Sequence, residues 1–469
     1  MKRTILCITI AILMMIAPIL KNYKALAKDY AAPSAMAPTF STHNSITIEA
    51  VGAVLMEQNT GKVLYSKNAH EILYPASTTK ILTALVALEN ANINDMITTG
   101  EEVKIIPNHS TIAGLLPEET YSMSDLLLAM MLPSGNDAAN AIAVYIARQT
   151  KDEELDIEQA IFEFSRLMNQ RAQEIGALRS NFVNPHGCHD KNHYTTAHDL
   201  ALIAREAMNN PIFKQLVSTT RAVVEKPLKE PNKSDTSDKP SEDSTHKWRN
   251  SNQLLNKENN DHYFPYATGI KTGFTTPAGH CLVSSASKDD LELISVVLRD
   301  SKEGRWFDSR KLLEYGLNSY TFHEFMKKGD ILCTTYINNH AENESGQLNI
   351  IAAEGYRDIF NKEDIPKIQS TIVWDNDLLD GNKDNEEDDL LSAPVSKGQK
   401  LGRVVYTLNG VFIKDIDLIA DRDIQEKKSL NIAEINTLPL SQYSSLAFII
   451  GMFIICLVIF LAVHRLRTR

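Results

Sequence analysis

Residues 74–90 read YPASTTKILTALVALEN. Ile81, Leu82, Leu85, Val86 and Leu88 recur at helical spacing, and Pro75 and Ser77 are ordinary helix-start signals. A capping box would place Glu or Gln three residues after the cap, at the positive end of the helix dipole. Lys80 stands there instead, with the wrong charge for the position. On its own a solvated lysine explains this at a cost of a few tenths of a kcal/mol. The functional alternative is that residues three apart share one helix face, so Ser77 and Lys80 can act as nucleophile and general base. A neutral amine is the form that role needs.

Two further stretches supply the rest of such a site. In MLPSGNDAANA, Pro133 ends one helix and Asp137 can cap the next, leaving Ser134, Gly135 and Asn136 in a tight connection. Such a turn aims a hydroxyl and a carboxamide into a cleft. In GIKTGFTTPAGHCLV, Lys271, Thr272 and Gly273 lie on a strand that turns back on itself. Gly273 allows close approach of another backbone, and Lys271 with Thr272 suits an anionic group. Each stretch alone reads equally as a turn or a strand edge; jointly and in this order they are far more specific.

The strand signals fall at two separated places. AVGAVLMEQ and KVLYSKN flank the turn Asn59-Thr60-Gly61, while GIKTGF, GHCLVSSAS and LELISVVLR follow far downstream. Helical patterns occupy 77–90, 124–132, 137–148, 155–175 and 196–208, with another near 308–317. The fold class expected is therefore α+β, an antiparallel sheet flanked by helices over residues 45–320. Residues 225–245 are polar and without apolar period, as is the acidic stretch 375–389, and 225–245 is expected to be a disordered insertion. Short β-like runs over 325–430 imply a small all-β domain, β-sandwich-like, followed by a stalk at 431–445.

The ends suggest export. MKRTILCITIAILMMIAPIL followed by Ala25-Leu26-Ala27 reads as a signal peptide over 1–27. Leu446–Val463 holds 18 residues without charge, roughly 27 Å as a helix. With Arg465, Arg467 and Arg469 beyond it, the expectation is one C-terminal transmembrane helix at 446–463 and a cytoplasmic tail at 464–469. The protein would then sit in the cell membrane as a single-pass chain with its ectodomain on the extracytoplasmic face. The net charge of −11 argues against nucleic acid as a partner. Cys7 and Cys456 fall in the apolar runs, so Cys188, Cys281 and Cys333 permit at most one internal disulfide.

With Ser-x-x-Lys, Ser-x-Asn and Lys-Thr-Gly in that order, the chain resembles the penicillin-recognising serine enzymes, a fold shared with β-lactamases. Within them it resembles the low-molecular-mass penicillin-binding proteins that are serine-type D-alanyl-D-alanine carboxypeptidases. The resemblance spans roughly residues 45–435 and includes YPASTTK, SGNDAA, NPHG with HYTTAHDLALIA, GIKTGFTTPAGHCL, GRWFDSRKLL and APVSKGQKLG. It implies acyl transfer at peptidoglycan stem peptides ending in D-Ala-D-Ala, with β-lactams as covalent inhibitors and no cofactor or metal. It assigns Ser77, Lys80 and Ser134 to catalysis, and Asn136, Lys271, Thr272, Gly273, Phe274 and Arg305 to substrate binding. The N–H groups of Ser77 and Phe274 match the family's oxyanion hole.

Three other readings compete with this one. The cluster HGCHDKNHYTTAH, with His186, Cys188, His189, His193 and His198, invites zinc, but its spacing matches no standard ligand pattern. A class A β-lactamase would carry a Glu-x-x-Leu-Asn stretch after Ser-Gly-Asn, and none follows. A non-catalytic β-lactam sensor would need an output module, for which a six-residue tail leaves no room.

Overall fold

The structure, a computed structural model, describes residues 46–108, 110–227, 244–259, 261–375, 391–427 and 440–467. The signal-peptide segment, most of the polar insertion, the acidic stretch and all but the end of the stalk lie outside these residues. The chain divides into two compact units, one built on Met1–His323 with Asp358–Lys367 and the other on Glu324–Arg357 with Ile368–Arg469.

The first unit opens with the hairpin β1 (Gly52–Glu57) and β2 (Val63–Lys67). A 3-10 turn, Ala76–Thr79, leads into α1 (Lys80–Asn90). Next come β3 (Met96–Thr98), β4 (Thr120–Ser122), α2 (Met123–Met131), α3 (Asn136–Thr150), α4 (Ile157–Ile175), α5 (Ala197–Met208) and α6 (Pro211–Ser218). The hairpin β5 (Arg221–Glu225) and β6 (Thr245–Arg249) precedes β7 (Ala267–Thr275), β8 (Gly279–Lys288), β9 (Leu291–Asp300) and α7 (Gly304–Ser319). The main sheet has the order β2-β1-β9-β8-β7, all antiparallel, so its first and last strands meet across the whole helical segment.

This sheet is buried on both faces, which is why its strands read as nearly continuous apolar runs. Side chains alternate: Val54 and Met56 of β1 join one core with Ile294, Val296 and Leu298 of β9, while Ala53 and Leu55 join another with Leu293 and Val297. The first core is closed by α1, whose Ile81, Leu82, Leu85 and Val86 are all buried. Each contributes on the order of 2 kcal/mol of transfer free energy. Leu312, Leu313 and Leu317 of α7 close the second. The layers are thus helices, sheet and helix, with β7 left at the sheet's edge.

The insertion expected at 225–245 has ordered ends, because Glu225 and Thr245 are register partners in the β5–β6 hairpin. In the second unit β11 (Ile331–Tyr336), β12 (Gln347–Ala352), β14 (Ile368–Trp374), β15 (Lys400–Leu408) and β16 (Val411–Ala420) form one antiparallel sheet, order β11-β12-β16-β15-β14; β10 (Tyr320–Met326) and β13 (Tyr356–Asn361) pair separately. Its core gathers Leu348, Ile350, Leu401, Val404, Tyr406, Ile416 and Leu418.

The transmembrane expectation is not met. The last helix, α8 (Leu440–Arg467), contains the apolar run. Among the described residues no helix is long and apolar enough to cross a membrane. The transmembrane helix at 446–463 and the single-pass membrane placement are therefore not supported.

One buried carboxylate joins fold to site. Asp137 is 1% exposed and lies in the first turn of α3, where it accepts the N–H groups of Ala113 (2.8 Å), Gly114 (2.9 Å) and Leu115 (3.1 Å) as well as Ala138 (2.9 Å). It is therefore not the cap, which falls on Gly135. It ties the 113–115 segment to the turn carrying Ser134. Asp137→Ala is expected to strand these donors and lower unfolding stability by about 3 kcal/mol, measured by denaturant titration; a change below about 0.5 kcal/mol would show the segment to be held by other contacts.

Candidate active site

Ser77 lies in the 3-10 turn and Lys80 opens α1. In 3-10 geometry residues three apart eclipse one another, which brings the two side chains closer than an α-turn does. Lys80 Nζ lies 3.1 Å from Ser77 Oγ, 2.6 Å from Asn136 Oδ1 and 3.0 Å from the carbonyl of His186. Lys80 is 0% exposed. Burial holds its amine down to about 7, against the opposing influence of Cys188 and Asp137. Burial is the main cause of this depression. Lys271, also buried, is driven well below the usual lysine range by burial, then by Lys80 and Arg305.

The turn bearing Ser77 is strained and clamped. Ala76 has φ +50°, a region that β-carbon residues seldom occupy. Thr79 Oγ1 donates to Ala76 O at 2.8 Å and lies 2.8 Å from His193 Nε2. His193 Nδ1 accepts the Val183 N–H at 3.1 Å, so its proton sits on Nε2 and points to Thr79. Burial pushes His193 down to about 4, which keeps the ring neutral for this relay. Gly187, at φ +82°, packs so closely that a Cβ would stand 1.8 Å from Ala76 O.

The segment 184–188 is shaped by α1. Thr83 donates to Pro185 O at 2.6 Å and Lys80 to His186 O, two consecutive carbonyls held by side chains one helical step apart. His186 Nδ1 accepts the Cys188 N–H at 3.1 Å, and burial with Lys80 nearby lowers the imidazole to about 3. The two buried imidazoles thus serve loop geometry. Among the described residues no group of three or more His, Cys, Asp or Glu is placed to hold a metal ion. Cys188, Cys281 and Cys333 are free thiols, and Cys188 Sγ accepts from Asn136 Nδ2 at 3.3 Å.

Across the cleft stands β7. Its Gly273 faces the Ser77 turn so closely that a Cβ would meet Pro75 O at 3.0 Å and Ser77 N at 3.1 Å. Thr272 is 7% exposed, while the Phe274 ring, 54% exposed, stacks on His280 at 4.2 Å. Ser134 is 7% exposed with φ +70° in the turn between α2 and α3. Arg305 begins α7, its guanidinium 4.4 Å from the Trp306 ring centre and its buried Nε without a partner among the described residues. The sites picked from sequence are therefore drawn from the Ser77 turn, the α2–α3 turn, β7 and the start of α7. Sequence reading missed the supporting roles of Thr79, Asp137, Gly187 and His193.

Comparison with known proteins agrees with this geometry. Residues 38–302 match the family model of D-alanyl-D-alanine carboxypeptidases, and 320–426 match the C-terminal domain of penicillin-binding protein 5. The chain is 28% identical to the D-alanyl-D-alanine carboxypeptidase DacF of Bacillus subtilis over 84% of its length and 91% of that protein. It is 31% identical to DacA of Haemophilus influenzae over 81% of its length and 86% of that protein. Among solved structures, DacD of Francisella tularensis superposes with a TM-score of 0.61 at 27% identity, covering 82% of this chain and 95% of that one. Penicillin-binding protein 5 of Haemophilus influenzae superposes with a TM-score of 0.57 at 27% identity, covering 82% and 100%. The matched families and the shared fold make this chain a member of the D-alanyl-D-alanine carboxypeptidases, serine peptidases of cell-wall peptidoglycan.

Proposed function

We propose that Ser77 is the nucleophile and Lys80 its general base. The observation that carries this is the set of partners around Lys80 Nζ: two carbonyl oxygens, which can only accept, and one hydroxyl. A neutral amine has two hydrogens and one lone pair. The hydrogens go to Asn136 Oδ1 and His186 O, and the lone pair is left for the Ser77 hydroxyl.

The reaction then runs as acyl transfer. Ser77 Oγ bonds to the carbonyl carbon of the penultimate D-alanine as its proton passes to Lys80. The carbonyl oxygen takes the negative charge and is met by the N–H groups of Ser77 and Phe274, each such donor contributing about 3 kcal/mol in comparable sites. The carbon–nitrogen bond breaks, and the proton held by Lys80 passes through Ser134 and Lys271 to the departing amine, which leaves Lys80 neutral again. Water next attacks the ester, its proton again taken by Lys80, and the shortened peptide leaves with Ser77 restored. Asn136 aligns the substrate amide; Thr272, Lys271 and Arg305 receive the terminal carboxylate. Gly273, which carries no side chain, lets β7 pack directly against the Ser77 turn. A β-lactam presents an amide and a carboxylate at the same positions and acylates Ser77 likewise.

Incubating the full chain with a diacyl-Lys-D-Ala-D-Ala peptide should release free D-Ala. Ser77→Ala should abolish that release with an unchanged thermal transition, and Lys80→Ala should abolish acylation. Turnover by Ser77→Ala, or acylation of Lys80→Ala at the wild-type rate, would overturn the assignment.

The acylation rate should rise with pH. Below about 7 the Lys80 amine is protonated and cannot take the serine proton, so the rate constant should fall about tenfold per pH unit on the acid side. Stopped-flow acylation between pH 5 and 9 reads this; a flat profile would exclude Lys80 as the titrating base.

Excess benzylpenicillin should leave one adduct per chain that outlasts many peptide turnovers, seen by intact mass. After ring opening the leaving nitrogen stays tethered and obstructs water, whereas D-Ala departs. Rapid repeated penicillin hydrolysis without an adduct would favour a β-lactamase.

A further inference from the structure

Ser251 lies outside all three motifs, yet its Oγ is 2.6 Å from Thr272 Oγ1. Its N–H donates to Leu132 O at 3.0 Å, two residues before Ser134. The asparagines on either side hold it there. Asn250 Nδ2 donates to the carbonyls of Val217 (3.2 Å) and Thr219 (3.0 Å) at the end of α6. Asn252, 1% exposed, donates from Nδ2 to Gly269 O on β7 at 2.8 Å and accepts the Leu254 N–H at 3.1 Å. Its own N–H donates to Asn250 Oδ1 at 2.9 Å. Residues 250–252 are thereby tied to α6, to β7 and to the end of α2 at once. Of their three side chains, two are spent on fixing the backbone. The third, Ser251, is aimed at Thr272.

We propose that the Ser251 hydroxyl is a further binding residue for the substrate's terminal carboxylate, acting as a pair with Thr272. The inference rests on the reading of this cleft as a site for D-Ala-D-Ala peptides. A pair of hydroxyls has two hydrogens, and one of them joins the two oxygens here. A carboxylate offers two acceptor oxygens and can take both hydrogens, one from each hydroxyl. Ser251 is half-buried, so its hydroxyl is within reach of solvent and ligand, whereas Thr272 is nearly covered. The rigid backbone means that only the hydroxyl rotors turn on binding, which costs little entropy and preorganises the anchor. Arg305 supplies charge close enough to act on Lys271; Ser251 supplies direction.

The test compares two peptides that differ only at the C-terminus, diacetyl-Lys-D-Ala-D-Ala and its C-terminal amide, with the released amine quantified by mass spectrometry. Ser251→Ala should raise KM for the acid about tenfold with kcat changed less than about twofold, and should leave the amide's kcat/KM unaltered. Ser251→Thr, which keeps the hydroxyl, should restore the acid's KM. An equal loss on both peptides would mean that Ser251 merely supports β7, and no change on the acid would remove it from the site; either outcome overturns the proposal. Acylation by benzylpenicillin and by its methyl ester provides the same acid-to-neutral ratio without peptide turnover. A wild-type chain that releases no D-Ala yet shows a Ser251-dependent ratio on the penicillins would overturn the carboxypeptidase reading and leave Ser251 as a carboxylate anchor.

Discussion

A primary amine buried to 0% exposure is the constraint on which the rest of this structure turns. A charged ammonium placed there would face a desolvation penalty of several kcal/mol, so the protein keeps Lys80 near neutrality and surrounds it with acceptors for its hydrogens. Those acceptors come from far apart in sequence, Asn136 on α3 and His186 on the 184–188 segment. The amine therefore acts as a structural joint as well as the proposed base. Moving either partner would expose an unpaired polar group in the interior, which ties the integrity of the helical layer to the protonation state of one side chain.

How much of this the sequence disclosed depended on whether partners sit at a fixed local spacing. Ser77 and Lys80 were legible because three residues on a helical turn share a face. The five main strands were legible because apolar runs bounded by turn residues mark them. Asp137 was misread as a helix cap: its partners, the N–H groups of 113–115, are main-chain groups and leave no trace in side-chain identity. The β5–β6 hairpin was hidden because a long polar stretch separates its strands, and loop length carries little information about pairing. α6 is only eight residues long, beneath what periodicity can secure. At the C-terminus, hydropathy alone implied a span, whereas among the described residues no helix is long and apolar enough to cross a membrane.

Histidines show a different kind of misdirection. Five His and Cys residues within 186–198 suggest metal by density, whereas the rings of His186 and His193 accept main-chain N–H groups and shape the loop. A neutral imidazole can accept on one nitrogen and donate on the other, which makes His193 a directional link between the Val183 amide and Thr79. An imidazolium would donate at both nitrogens and break that direction. Burial secures the neutral form, so composition, which measures how many ligating atoms are present, says nothing about how they are used.

Backbone strain sits beside the reacting atoms. Ala76, next to Ser77, and Ser134 both hold positive φ without being glycine, a conformation costing on the order of 1 kcal/mol each. Each is over-determined by its surroundings: Ala76 by Thr79, His193 and the close packing of Gly187, Ser134 by the contacts around Asp137 and Gly135. Gly135 itself admits no side chain, since a Cβ would lie 2.7 Å from both Ala129 O and Asp137 Oδ1. Strain of this size persists only where relaxing it would break several hydrogen bonds at once. The clamps therefore trade a small amount of stability for fixed directions at two hydroxyls, one placed against Lys80 and one in the turn that leads into Asn136. Fixed direction is what an acyl transfer needs, because the serine must lie in line with the carbonyl and the proton path before substrate arrives. A looser turn would leave the same residues in the same cleft and align them only part of the time.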